Sequence, residues 1–270
     1  DVDETGKIKN DYKIKAILKD GKIGLLKKYN FEKINFSLIV RNNIFSFKDL
    51  SFTNSKSSFF SENIKIIKNK KDYFVEGQIN NKDTNLSKEL LKILNINISN
   101  IEFSNTNFNS DNKFSFLIDK NFKVKNLALD SNIQINKSDY KIPIILNKFF
   151  NIKNRTVKIK EHNIKSNYKN NILVINGSGK IKVNKNFDDL EYSINLKDND
   201  IILKSKLILS ELKLNSHEYL KNFIPKLNEN TILKDQKIEI NFDKKKLQVE
   251  GQGKVKFENY FEDIKFNVSK

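Results

Sequence analysis

The sequence predicts a mainly β protein: an elongated antiparallel β-sheet of repeated units with a few short helices. Three observations carry this expectation. Apolar and polar residues alternate with period two along most of the chain, the pattern of half-buried strands. The breaks between alternating runs are short and polar, with hairpin length and composition. A long stretch also reappears 74 positions downstream, which marks a repeated supersecondary unit.

Taken in order, the chain first shows strand-like Gly21-Lys22-Ile23 and Phe31 to Leu38 (F-E-K-I-N-F-S-L), then Phe45 to Phe52 (F-S-F-K-D-L-S-F). Leu86 to Leu94 places Leu86, Leu90, Ile93 and Leu94 on one helical stripe, with Thr84 or Asn85 as a cap. A weaker helical pattern runs from Tyr140 to Phe150, and a further one from Ser216 to Leu227. Between and after these, alternation returns at Gly179 to Val183, Leu190 to Ile194, Ile238 to Phe242, Val255 to Phe257 and Ile264 to Val268. The breaks include Lys169-Asn170-Asn171, Lys197 to Asp200 and Asp243 to Lys246.

The 74-residue shift lays Ile164–Ile194 on Ile238–Val268 without a gap, and Gly177 and Gly179 fall on Gly251 and Gly253. Phe187-Asp188-Asp189-Leu190 falls on Phe261-Glu262-Asp263-Ile264, and Phe31-Glu32-Lys33-Ile34 repeats that acidic-aromatic start a third time. The expected organisation is one continuous array: a β-repeat segment over 1–85, a short helix plus strands over 86–137, and β-repeat units over 138–213 and 214–270.

At 270 residues and 31.6 kDa the chain has room for one large domain or two. With no methionine it reads as a piece of a longer protein. Zero cysteine excludes disulfides, thiolate metal sites and cysteine nucleophiles from these residues. The net charge of +17 comes almost wholly from lysine, since only Arg41 and Arg155 are arginine. A nucleic-acid binder would use arginine for bidentate phosphate and guanine contacts. The lysines, with abundant asparagine, isoleucine and phenylalanine, fit an A+T-rich genome and a solvated outer face. Nucleic acid is therefore not an expected partner; attraction to anionic lipid headgroups is the smaller alternative.

Catalytic and metal constellations are weak. Five of the eight glycines stand at Gly77, Gly177, Gly179, Gly251 and Gly253. The G-x-G pairs open onto strands, whereas phosphate loops open onto a helix N-terminus. They are expected to mark a bulge or sharp bend between consecutive strands, where positive φ or close backbone approach is needed. His162 and His217 each have only an adjacent glutamate and read as surface residues. The pairs Asp188/Asp189 and Glu262/Asp263 point to opposite faces of a strand and do not converge as an acid/base pair would. The expectation is no enzyme and no cofactor.

What remains is the apolar row. Too few helices are foreseen to cover one face of about fifteen strands. The row is covered by a second sheet in a sandwich, enclosed in a barrel, or left as an open groove for something apolar, and periodicity does not choose among these.

Strand-after-strand phrases such as Val124 to Ser131 (V-K-N-L-A-L-D-S) and Phe45 to Phe52, together with G-[KQ]-[IV] followed by an acidic-aromatic strand, resemble the AsmA-like family, the TamB/YhdP type of bacterial envelope protein. The resemblance is diffuse and covers essentially the whole chain. It implies a curved, open β-groove with an apolar lining for phospholipid acyl chains. It further implies a periplasmic location and a tether to the inner membrane through a region outside these residues. The groove serves passage of lipid between inner and possibly outer membrane, or support of envelope biogenesis. On that reading the lining is Ile181, Val183, Leu190, Tyr192 and Ile194, with Val255, Phe257, Ile264, Phe266 and Val268 as their counterparts. The alternative is a structural or adhesive β-repeat or β-sandwich protein without lipid cargo. An outer-membrane barrel would need aromatic girdles, and the foreseen helices and absent tryptophan fit it poorly.

Overall fold

The structure, a computed structural model, describes residues 4–6, 12–25, 29–54, 57–86, 102–142, 155–183, 185–198, 200–215, 230–244, 246–257 and 259–269. It is all-β among these residues: one open antiparallel sheet of fourteen strands. The strands are β1 (Lys13–Leu25), β2 (Tyr29–Arg41), β3 (Ile44–Asn54), β4 (Ser57–Lys68), β5 (Tyr73–Asn85), β6 (Glu102–Ile118) and β7 (Val124–Lys141). They continue as β8 (Thr156–Lys169), β9 (Ile172–Lys182), β10 (Asp188–Lys197), β11 (Asp200–Asn215), β12 (Asn230–Asp243), β13 (Lys246–Phe257) and β14 (Tyr260–Ser269). Each strand lies beside its neighbours in sequence, so the order is linear, with β1 and β14 at its ends. The sheet is not closed into a barrel, and no second sheet lies against it among the described residues.

The expected helix at Leu86–Leu94 lies outside the described residues from position 87 onward, and that at Ser216–Leu227 lies outside them entirely. The start of the Tyr140–Phe150 pattern is corrected: Tyr140 and Lys141 close β7, and 143–150 are again outside the described residues. Period-two alternation through Ile133, Ile135 and onward carries the strand past the point where the helical spacing begins.

The chain divides into two compact units. The first holds Asp1–Ile96, Phe108–Ile133 and Ser166–Asn171, and the second holds Asn97–Asn107, Gln134–Lys165 and Ile172–Lys270. In the first, one face of β1 to β5 is apolar. Leu38 pairs with Phe47, Phe47 with Ile64 and Ile64 with Gly77. Phe31, Phe52 and Phe59 follow on the same face at ring separations of 5.5 and 5.2 Å. Gly21 pairs with Ile34, the register that Gly179 and Leu190 adopt in β9 and β10. The third copy of the repeat thus preserves strand pairing as well as sequence.

From β8 onward the 74-residue shift holds strand for strand. Thr156–Lys169 maps onto Asn230–Asp243, and the pairs Gly177↔Tyr192 and Gly179↔Leu190 map onto Gly251↔Phe266 and Gly253↔Ile264. Tight turns join the hairpins. Asn42-Asn43 and Asn170-Asn171 have positive φ at both residues, the geometry whose twist matches that of the strands and which asparagine tolerates.

Positive φ also occurs inside strands, at non-glycine residues of β1, β2, β3, β5, β6, β7, β8 and β12, for example Asp20, Asp83, Glu161 and Asp235. Several sit where the register shifts, as a bulge requires. Side chains on the next strand satisfy the amides released there: Asn35 Oδ1 accepts the Asp20 N–H at 3.0 Å, and Asn109 Oδ1 accepts that of Asp83 at 2.7 Å. In each case a polar side chain of the neighbouring strand takes up the N–H that the local break in the ladder leaves without a backbone partner.

Candidate functional site

The candidate site is the apolar face of β9 to β14. Cross-strand partners share a face, so the registers trace its rows directly. One row runs Ile175, Ile194, Leu203, Phe242, Leu247, and the next runs Gly177, Tyr192, Ser205, Ile240, Val249, Val268. A third runs Gly179, Leu190, Leu207, Ile238, Gly251, Phe266. Apart from Ser205 and the Tyr192 hydroxyl these rows carry no polar side-chain group. The opposite face pairs Glu191 with Lys206 and Lys206 with Glu239, in a charged and solvated pattern.

The foreseen lining residues fall as follows. Leu190, Tyr192 and Ile194 stand half-buried on β10 and share their face with Ile264, Phe266 and Val268 on β14, the last 57% exposed. Val255 is 2% exposed and closes the same face beside Leu233. Phe257 pairs with Tyr260 at the end of β13. Ile181 ends the row on β9, and Val183 lies just past that strand. Ile181 and Val183 pack on a small core of Ile142 and Val157 with Tyr140, so protein covers these two. Among the described residues only Val40, Val75, Ile142, Val157, Leu209, Leu212 and Val255 are buried hydrophobics. A two-sheet core would bury whole rows; here the rows are half-open.

The glycines correct the expectation of a bend. Gly77, Gly177, Gly179, Gly251 and Gly253 lie within β5, β9 and β13, and none of them has positive φ. Close approach is their reason. A Cβ on Gly177 would enter the Tyr192 ring, and one on Gly251 would enter the Phe266 ring. The aromatic ring lies across the bare backbone and covers it from water.

Gly179 and Gly253 show the same device with polar partners, His162 and Gln236, which the repeat makes equivalent. Gln236 is 0% exposed, and its Nε2 donates to the carbonyls of Lys234 and Lys254 at 2.8 and 3.0 Å. His162 is 3% exposed, not a surface residue; it stacks on Tyr192 at 5.5 Å, with Nε2 3.1 Å from the Tyr192 hydroxyl. His217 lies outside the described residues. Both buried groups follow a bulge residue, Glu161 or Asp235. Lys160 and Lys234, one position earlier, lie over the Phe187 and Phe261 rings at 4.5 and 4.7 Å. The signal was present in sequence: Lys160-Glu161-His162 meets Lys234-Asp235-Gln236 when the alignment is carried four residues further toward the N-terminus.

Burial pushes the His162 pKa below its ordinary value and that of Tyr192 above. The folded chain therefore resists protonation of His162, whereas the unfolded chain takes up the proton near pH 6.5. Stability is full above that pH and falls as pH drops below it. His162→Gln, which installs the side chain of the equivalent repeat position, is expected to fold and to flatten this decline. Urea unfolding at a series of pH values measures it, and an unchanged slope would show that His162 is not the group responsible.

Asp188 and Asp189 diverge as foreseen. Asp188 is buried and accepts the Ser210 N–H at 2.9 Å, while Asp189 pairs with Lys180 on the charged face. A concavity of about 590 Å³ in this unit also opens among charged side chains, including Lys165, Glu191, Lys206 and Glu239. It is space between long solvated side chains rather than an enclosed pocket of the kind that holds small ligands. The extended chemical feature of this unit is its apolar face. The chain matches no protein-family model, no curated protein and no solved structure.

Proposed function

We propose that the apolar face of this sheet is a lane for phospholipid acyl chains in an AsmA-like envelope protein, sited in the periplasm and tethered to the inner membrane. The observation that carries this reading is an apolar face continuous over six strands with no second layer of protein on its central rows among the described residues. A face of that kind leaves water against leucine, isoleucine and phenylalanine unless something apolar covers it. Acyl chains suit it because each buried CH₂ is worth about 0.8 kcal/mol and a smooth apolar surface imposes no register on them. Headgroups stay in solvent. Such carriage needs binding without chemistry, so no catalytic residue or cofactor is invoked.

The test uses photo-crosslinkable residues in cells. Ile194 and Val268, on the apolar rows, are expected to capture phospholipid, whereas Lys182 and Lys256, on the other face, are not. Capture confined to Lys182 and Lys256 would overturn the lane. A lipid-free protein whose apolar face is dry and packed would favour a structural or adhesive repeat protein.

A further inference from the structure

The turn between β6 and β7 is built unlike the tight turns at Asn42-Asn43 and Asn170-Asn171. There, left-handed geometry falls on asparagine, whose short polar side chain tolerates it. Between β6 and β7 it falls on Phe122, with φ of 58°. Among the described residues no other aliphatic or aromatic side chain stands at a positive φ. A bulky residue in that region carries strain. Burial does not offset it, because Phe122 is 86% exposed. Val124, two residues on, is exposed as well.

Asp119 holds the turn in this shape. Its N–H donates to the Lys123 carbonyl at 3.1 Å, and its own carbonyl accepts the Phe122 N–H at 2.9 Å. Its Oδ1 accepts the N–H groups of Asn121 and Lys123 at 2.9 and 3.0 Å, and its Oδ2 pairs with Lys125 at 3.0 Å. The ring is thus held in solvent by a fixed loop, and a partner need not order it.

The surroundings are basic. Lys120 and Lys123 flank Phe122, and Lys70 and Lys71 stand in the β4–β5 turn on the same side of the sheet. Asp119, by its hydrogen bond, and Asp72, by its charge, hold Lys125 above its ordinary pKa, which places the two turns side by side. Lys70, Lys71, Lys120 and Lys123 are exposed, and among the described residues none of them is paired with a carboxylate.

The geometry points to this pair of turns as a docking site for the surface of an anionic phospholipid bilayer. Phe122 enters the boundary between headgroups and acyl chains, and the four lysines meet lipid phosphates. A fluid anionic surface neutralises mobile ammonium groups without a matching set of acids, and a single ring entering it needs no preformed pocket. The site does not rest on the acyl lane, since these turns belong to the first unit and the lane residues to the second.

The chain has no tryptophan, so Phe122→Trp gives it a single indole at this turn. Mixed with vesicles of phosphatidylcholine containing about one-third phosphatidylglycerol, that indole is expected to shift its emission to the blue. The single indole of Phe60→Trp, on β4, should not shift. In sedimentation with the same vesicles, Phe122→Asn, which restores the residue type of the other turns, should bind about tenfold more weakly. Lys120→Gln/Lys123→Gln should bind roughly thirtyfold more weakly. An unshifted indole at position 122, equal binding to pure phosphatidylcholine vesicles, or indifference to both variants overturns the proposal. A dimer of the chain that Phe122→Asn dissolves assigns the turn to a protein partner and equally overturns it.

Discussion

Gly251→Ala is expected to destabilise the chain by about 1–3 kcal/mol, the usual scale of overpacking. An ordinary mid-strand glycine predicts the opposite sign, since alanine there is favoured by roughly 0.5–1 kcal/mol. The difference lies in the Phe266 ring, which occupies the space a Cβ would take. Gly177 against Tyr192 should behave alike. Removing the ring supplies the control: in a Phe266→Ala background, Gly251→Ala should become neutral or mildly stabilising. Urea midpoints of the four proteins give the coupling directly. Additive effects would show that ring and glycine do not meet.

The second large effect concerns carriage rather than folding. Ile240 sits between Ser205 and Val249, midway across the apolar rows, and is half-buried. An aspartate there interrupts acyl contact over two or three methylenes, about 2 kcal/mol, so lipid captured at Ile194 and Val268 should fall by roughly thirtyfold. Ile240→Leu and the opposite-face change Glu239→Gln should leave capture unchanged. Undiminished capture with Ile240→Asp would mean that lipid, if present, does not travel along this face.

Strand identity was legible in the sequence because a sheet with one wet face writes its geometry as alternation. Leu190 to Ile194 and Ile264 to Val268 each revealed which side chains face together. The repeat was legible because equivalent strands need equivalent partners, as Gly177 with Tyr192 and Gly251 with Phe266 show. The in-strand bulges were not. Glu161 and Asp235 are polar residues in polar surroundings, and alternation does not distinguish a residue on the solvated face from one inserted in left-handed geometry. The burial of His162 was hidden for the same reason, since the bulge beside it shifts the face on which the following residue lies. The glycines misled in a different way. Glycine is associated with turns, and nothing local to Gly251 indicates that its neighbour in space is an aromatic ring fifteen residues away.

The period of the repeat has a consequence for how such a chain grows. From β8 to β12 the pattern advances by four strands, and four is an even number. A duplicated unit therefore enters with its first strand running the same way as the original and with its oily side turned the same way. Duplication of an odd number of strands would reverse the direction and leave the next copy out of phase. At about 4.8 Å between strands, each inherited copy widens the sheet by roughly 19 Å. Gene duplication in steps of 74 codons is thus a ruler: ancestry can lengthen or shorten the molecule by whole increments without redesigning a single pairing.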